Sequence, residues 1–205
     1  LTAARQPVSP ALFLLGGAKF ETKLPLVEEY LKRYDHVFIG GALTNDILKA
    51  RGYEVGQSLV SDVDLSQSPV IAHEALLLPI DLVIEGPNGV RTGAVDSVAP
   101  DERIMDCGPK TVAMLAQHIE TAATILWNGP FGAYEQGFTD ATEQTARFIA
   151  GASGRSILGG GDTVAAIERL ELNSCFDFVS IGGGSMLTFL ETGTTPVLQR
   201  LTADS

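Results

Sequence analysis

The sequence predicts an α/β domain built on a mainly parallel sheet, and three observations carry that prediction. Short, nearly all-apolar runs alternate with longer stretches of helical spacing along the 205 residues, as in strands covered by helices on both faces. Three glycine-dense turns stand where an apolar run gives way to a helical pattern: LGGAK at 15–19, LGGGDT at 158–163 and IGGGS at 181–185. Hydrophobic residues make up 45% of the chain, which supports the buried core of one ordinary or large domain and argues against disorder.

The elements follow in order. The wholly apolar run ALFLL at 11–15 reads as the first strand, and HVFI at 36–39 as the second. Further strand-like runs lie at 79–84, 124–127, 156–158 and 176–180. Between them, helical spacing or start signals occur at 24–34, 43–51, 109–122, 140–150, 163–170 and 185–191. Asp140 with Glu143 resembles a capping box. An Asn88-Gly89 turn marks a β-hairpin excursion at the periphery. No repeat or low-complexity linker divides the chain. Residues 1–10 read as an entering segment, 11–191 as one compact domain and 192–205 as a tail; the start at Leu1 reads as that of a processed or excised piece.

Fourteen Lys and Arg against 25 Asp and Glu give a formal charge of −11, a field that disfavours nucleic acid and anionic membrane. Any phosphate site must then be local. Cys107 and Cys175 lack metal-like or redox spacing and read as core thiols in a reducing cytoplasm, while His36, His73 and His118 are scattered singly. No apolar run approaches the ~20 residues of a membrane helix. A cytoplasmic monomer is the expectation.

Glycine lets backbone approach a ligand closely, and the free N–H groups of a following helix attract phosphate. A helix starting near Ala18 would put Lys19 and Lys23 at i and i+4, where they repel each other and oppose the helix dipole unless a polyphosphate offsets both. The alternative is two solvated lysines with Glu21 between them. Asp162 is either the N-cap of the next helix or a carboxylate for Mg²⁺. Gly182, Gly183 and Gly184 form a tight connection capped by Ser185, or else expose N–H groups to a transferring phosphoryl. In WNGPFGAYE at 127–135, Asn128 could reach phosphate or brace its loop, and Glu135 could accept from ribose or stay solvated. A doubly wound fold would gather all these loops at one edge.

Together, GGAKFETK at 16–23, DCGPKT at 106–111, WNGPFGAYE at 127–135, GGGDT at 159–163 and SIGGGS at 180–185 resemble the ordered motif set of phosphoglycerate kinases. The resemblance runs from about residue 7 to residue 201, in the order of that family's C-terminal domain. It implies a Rossmann-like three-layer α/β domain with a mainly parallel six-stranded sheet, helices on both faces and a small β-hairpin excursion. It also implies a lobe binding Mg-ADP or Mg-ATP, in a glycolytic enzyme that moves a phosphoryl group between 1,3-bisphosphoglycerate and ADP, a carboxyl group being the acceptor in reverse. Nothing here resembles the N-terminal lobe that takes 3-phosphoglycerate, so the chain alone should bind nucleotide and turn over poorly or not at all.

By the same resemblance, Lys19 stabilises the phosphoryl in flight and Gly182, Gly183 and Gly184 present N–H groups to it. Gly16, Gly17 and Ala18 line the nucleotide wall, and Lys23, Asn128 and Thr163 approach the phosphates. Glu135 takes the ribose, Asp162 positions Mg²⁺, and Gly41, Pro130, Gly160 and Gly161 complete the nucleotide site. Ala42 and Ile104 stand near the expected adenine pocket where the family usually has glycine, and Ile181 replaces a usual threonine. The absence of G-x-G-x-x-G after any strand and of G-x-x-x-x-G-K-[ST] argues against a dehydrogenase and a P-loop NTPase. A non-catalytic nucleotide-binding or interaction module derived from the lobe is the rival reading.

Overall fold

The computed structural model describes residues 2–18, 23–180 and 186. A short helix α1 (Thr2–Arg5) precedes β1 (Ala11–Leu15), α2 (Leu24–Tyr30), β2 (His36–Ile39), α3 (Leu43–Ala50) and β3 (Leu76–Leu77). A second group comprises β4 (Asp81–Gly86), β5 (Gly89–Ala94) and β6 (Arg103–Cys107). The chain continues through α4 (Pro109–Thr121), β7 (Thr124–Asn128), α5 (Asp140–Gly151), β8 (Arg155–Gly159), α6 (Gly161–Arg169) and β9 (Phe178–Ser180).

Six strands form one sheet in the order β3-β2-β1-β7-β8-β9, every pair parallel. Because side chains alternate across a strand, β1 supplies two cores. Phe13 and Leu15 join the apolar cluster of Val27 and Tyr30 from α2 and Ile47 from α3. Leu12 and Leu14 join the opposite cluster of Leu115, Ile149 and Ile167 from α4, α5 and α6. All five residues of β1 are buried, and each large one contributes about 1.5–3 kcal/mol.

The second sheet, ordered β5-β4-β6, is antiparallel. The run expected as a main-sheet strand at 79–84 therefore belongs elsewhere, and the sixth main-sheet strand is the two-residue β3. Asp81 shows why. Its carboxylate accepts from the N–H groups of Lys110 and Thr111 at 3.0 and 2.7 Å and from the Thr111 hydroxyl at 2.7 Å. These bonds tie β4 to the first turn of α4, whose N-cap is Gly108 and offers no side-chain cap. The expected hairpin is present, its two-residue turn being Pro87-Asn88 rather than Asn88-Gly89. Its strand β5 is mostly exposed, but the unanticipated partner β6 runs inward.

Other differences are local. Helix α2 ends at Tyr30, four residues before the expected end. Asp140 is the first residue of α5 rather than its cap; Thr139 is the N-cap, without a side-chain bond. Glu143 pairs instead with Arg169 and with Arg147. Asp162 is likewise no N-cap, because α6 starts at Gly161 with Gly160 before it. Cys107 is buried, whereas Cys175 is exposed. His36 and His118, distant in sequence, bring their rings within 4.5 Å. The expected helix at 185–191, apart from Met186, and the tail at 192–205 lie outside the described residues.

Replacing Asp81 with Ala should lower unfolding stability by about 1–2 kcal/mol, since it removes the acceptor of two helix N–H groups, while the Thr111 hydroxyl keeps its bond to the Asp81 carbonyl at 2.9 Å. Urea titration of parent and variant measures the difference.

Candidate functional site

The main sheet reverses its winding between β1 and β7. From β1 the chain steps outward through β2 and β3; from β7 it steps the other way through β8 and β9. Open α/β sheets bind ligands outside the carboxyl ends of the strands at such a point. Here the turns after β1 and β7 pack backbone on backbone. Gly16 N–H donates to the Asn128 carbonyl at 2.8 Å, and Gly17 N–H to the Pro130 carbonyl at 3.1 Å. A methyl on Gly16 would collide with the Gly129 and Pro130 carbonyls, and one on Gly129, which holds φ +91°, would collide with the Gly16 backbone. Only glycine permits that approach.

Two side chains brace this floor from below. The Trp127 indole N–H donates to the Gly129 carbonyl at 3.0 Å, and the buried Thr163 hydroxyl accepts from Gly129 N–H at 2.8 Å. Above it opens a cleft of about 730 Å³, a size usual for small-molecule sites. Its walls come from the turns after β1 and β2, the 130–136 loop, β6, the 57–59 segment and the start of α6. Leu82, Ile104, Met105 and the exposed Leu59 give part of it an apolar lining.

Of the residues singled out in the sequence, Gly17, Ala18, Gly41, Pro130, Glu135 and Asp162 line the cleft. Gly16 lies in the floor, and Gly160 and Gly161 start α6. Thr163 is fully buried and Asn128 is 3% exposed. The Asn128 Nδ2 atom has no hydrogen-bond partner among the described residues and stands beside the Gly159-Gly160 turn. Lys19, Gly183 and Gly184 lie outside the described residues.

Lys23 is the N-cap residue of α2, so it is not placed on a helix face starting near Ala18. Its ammonium reaches back to the Gly16 carbonyl at 2.6 Å. Desolvation brings its pKa from 10.5 down to about 8, against the opposing pull of the Asp162 carboxylate. A partly dehydrated cation thus stands beside the two glycine turns and within the field of a carboxylate from the first turn of α6. Among the described residues no three His, Cys, Asp or Glu side chains cluster as a metal site. A cation at Asp162 would take its other ligands from phosphate and water, which suits Mg²⁺.

Two cleft residues stand inside the motifs quoted above but received no role from them. Asp106, 3% exposed, accepts from Cys107 N–H at 2.8 Å and Ala141 N–H at 3.2 Å. Burial is the main force lifting its pKa to about 7; those two bonds oppose the shift and Asp140 adds to it. Its sequence signal is its place at the start of the DCGPKT motif, which does not reveal its burial. Tyr134 lines the cleft beside Glu135 and bonds across to Arg169. Nothing in the local sequence marks that pairing.

The family model for phosphoglycerate kinase matches residues 1–193. The chain belongs to the phosphoglycerate kinase family. It is 38% identical to the phosphoglycerate kinase of Maricaulis maris (strain MCS10) over 211 residues, an alignment covering 96% of this chain and 52% of that one. The phosphoglycerate kinase of Rubrobacter xylanophilus (strain DSM 9941 / JCM 11954 / NBRC 16129 / PRD-1) is 39% identical over 201 residues, covering 94% and 51%. The solved phosphoglycerate kinase of Coxiella burnetii superposes with a TM-score of 0.89 at 34% identity, covering 98% of this chain and 55% of that structure. The chain therefore spans about half the length of these phosphoglycerate kinases. No helix among its described residues is long and apolar enough to cross a membrane.

Asp106 generates a pH test. A carboxyl whose folded pKa is raised favours folding most in acid, and that contribution is lost as pH rises from its unfolded pKa near ~4 through the folded value. Asp106→Asn should therefore stabilise the protein relative to the parent by about 1–2 kcal/mol more at pH 8 than at pH 4. Urea midpoints at the two pH values read the difference.

Proposed function

We propose that this chain is the nucleotide-binding lobe of a phosphoglycerate kinase, holding ADP or ATP with Mg²⁺ in the cleft at the β1/β7 reversal. The observation that carries this reading is the placement of Lys23. Its ammonium is largely removed from water, its one hydrogen bond among the described residues is to a glycine carbonyl, and the Asp162 carboxylate only partly offsets the cost. An anionic phosphate supplies the missing counter-charge. Helix α6 starts at Gly161 without a side-chain cap, and Asp162 in its first turn lines the same cleft, so its free N–H groups add a favourable dipole end.

Each part of the cleft then has a task. Gly17, Ala18, Gly41 and Pro130 form the wall against the nucleotide, with Gly16 supporting them from the floor. Gly160 and Gly161 bring the start of α6 to the phosphates, and the Asn128 amide, without a partner among the described residues, donates to them. Thr163 serves the site by holding Gly129 in place. Glu135 accepts from ribose hydroxyls. The apolar lining takes the base, and the bulk of Ala42 and Ile104 there relaxes the preference for adenine. Asp162 holds Mg²⁺, which when bound neutralises phosphate charge.

By family resemblance, Lys19, Gly183 and Gly184 stabilise the group in transfer between 1,3-bisphosphoglycerate and ADP. Such transfer depends on positioning and charge neutralisation rather than covalent participation of the protein. The binding of 1,3-bisphosphoglycerate and 3-phosphoglycerate falls to the half of the relatives that this chain does not span. Alone, the chain binds nucleotide and turns over slowly or not at all. The rival reading is a non-catalytic nucleotide-binding or interaction module derived from this lobe; restored turnover on adding an N-terminal lobe separates the two.

Titration calorimetry should show saturable ADP binding that Mg²⁺ strengthens, and no binding of NAD. Asp162→Ala should remove most of the Mg²⁺ effect; an unchanged metal dependence would exclude this carboxylate as ligand.

Lys23 links binding to pH. The charged ammonium is the form that pairs with phosphate, so above its pKa of about 8 binding must draw in a proton. ADP affinity should fall as pH rises through that value, approaching tenfold per unit well above it. Lys23→Met should weaken binding about 10- to 100-fold at pH 7 and abolish the pH slope.

A further inference from the structure

Glu135 is exposed and has no partner of its own among the described residues, so its neighbours set its position. The residue before it, Tyr134, is held from outside the loop. Arg169 Nη2 donates to the Tyr134 hydroxyl at 2.6 Å, and the guanidinium carbon lies 4.9 Å from the ring centre. The same nitrogen pairs with Glu143 in the first turn of α5. Glu143 in turn lies 3.7 Å from Arg147.

The 134–136 turn needs this hold. It is a single 3₁₀ turn that ends on Gly137 at φ +89°, with open space where a side chain on that residue would stand. On its other side it is tied through Ala133 N–H to the Met105 carbonyl at 2.8 Å. Arg169 ends α6, and Asp162 stands seven residues earlier, on the same helix face. Ala165 lies between them and lines the cleft. One rigid helix therefore carries the phosphate-side carboxylate near its start and, about 10 Å along its axis, the clasp on the Glu135 turn.

We propose that Arg169, oriented by Glu143, is a positioning residue for the sugar of the bound nucleotide: its clasp on Tyr134 fixes the Glu135 carboxylate relative to α6. The proposal rests on the reading of the cleft as a nucleotide site with Glu135 on the ribose. Arg169 touches no ligand; it acts through Tyr134. Removing the clasp frees the turn and lowers the share of molecules with Glu135 in place, at a cost confined to ligands that carry the hydroxyls.

The test compares ADP with 2′,3′-dideoxy-ADP by calorimetric titration of the parent, Tyr134→Phe, Arg169→Met and Arg169→Lys. The parent should prefer ADP. Tyr134→Phe and Arg169→Met should each weaken ADP about three- to tenfold while leaving the dideoxy compound within about twofold of the parent, and Arg169→Lys should recover part of the loss. Equal losses on both nucleotides, or none on either, with the parent still preferring ADP, would overturn the clasp alone. A parent that binds both nucleotides equally would overturn it at its premise about Glu135, and a parent that binds neither would overturn the reading of the cleft itself.

Discussion

The contact between the Gly16 and Gly129 turns is the constraint on which the rest of the site depends. Two strands adjacent in the sheet leave it in the same direction, and their turns touch through backbone alone. Any side chain at either position would separate the ends of β1 and β7. The carbonyls and N–H groups that remain are divided between the turns and their braces, Trp127 below and Thr163 from α6. The cleft floor is thus mostly peptide. Its charge comes from outside, from a lysine ahead of α2 and an aspartate at the start of α6.

Most of the main sheet was legible because its strands are short, apolar and covered on both faces. Runs such as ALFLL and HVFI cannot be exposed on either side, so their character survives without knowledge of neighbours. Leu76–Leu77 is too short for any periodicity, and β6 carries a mixed sequence suited to a sheet with an exposed side. Asp81 is the instructive failure. It lies in a run that reads as a covered parallel strand, yet its carboxylate caps a helix nearly thirty residues later in the chain. A bond of that reach has no local signature.

The site divides along the same line. Glycine turns and their order are backbone properties written in composition, and they identified the crevice. Lys23 was recognisable as a cation near such a turn, but not its dehydration, which depends on the fold that surrounds it. Asp106, Tyr134 and Arg169 act across elements. Asp140 and Asp162 show the opposite error, since both match a local capping pattern that the adjoining residues take over.

The pairing of β1 with both β2 and β7 bears on how the site comes into being. Leu12 meets His36 after one short crossover, whereas Ala11 meets Thr124 only after the whole second sheet and α4 have intervened. Each half of the chain could assemble locally, but the floor of the cleft exists only once the long loop between them has closed. A ligand seated there therefore draws its stability from contacts that join the two halves, such as that of Gly16 with Asn128, rather than from contacts within either. It would stabilise the complete fold without stabilising either half.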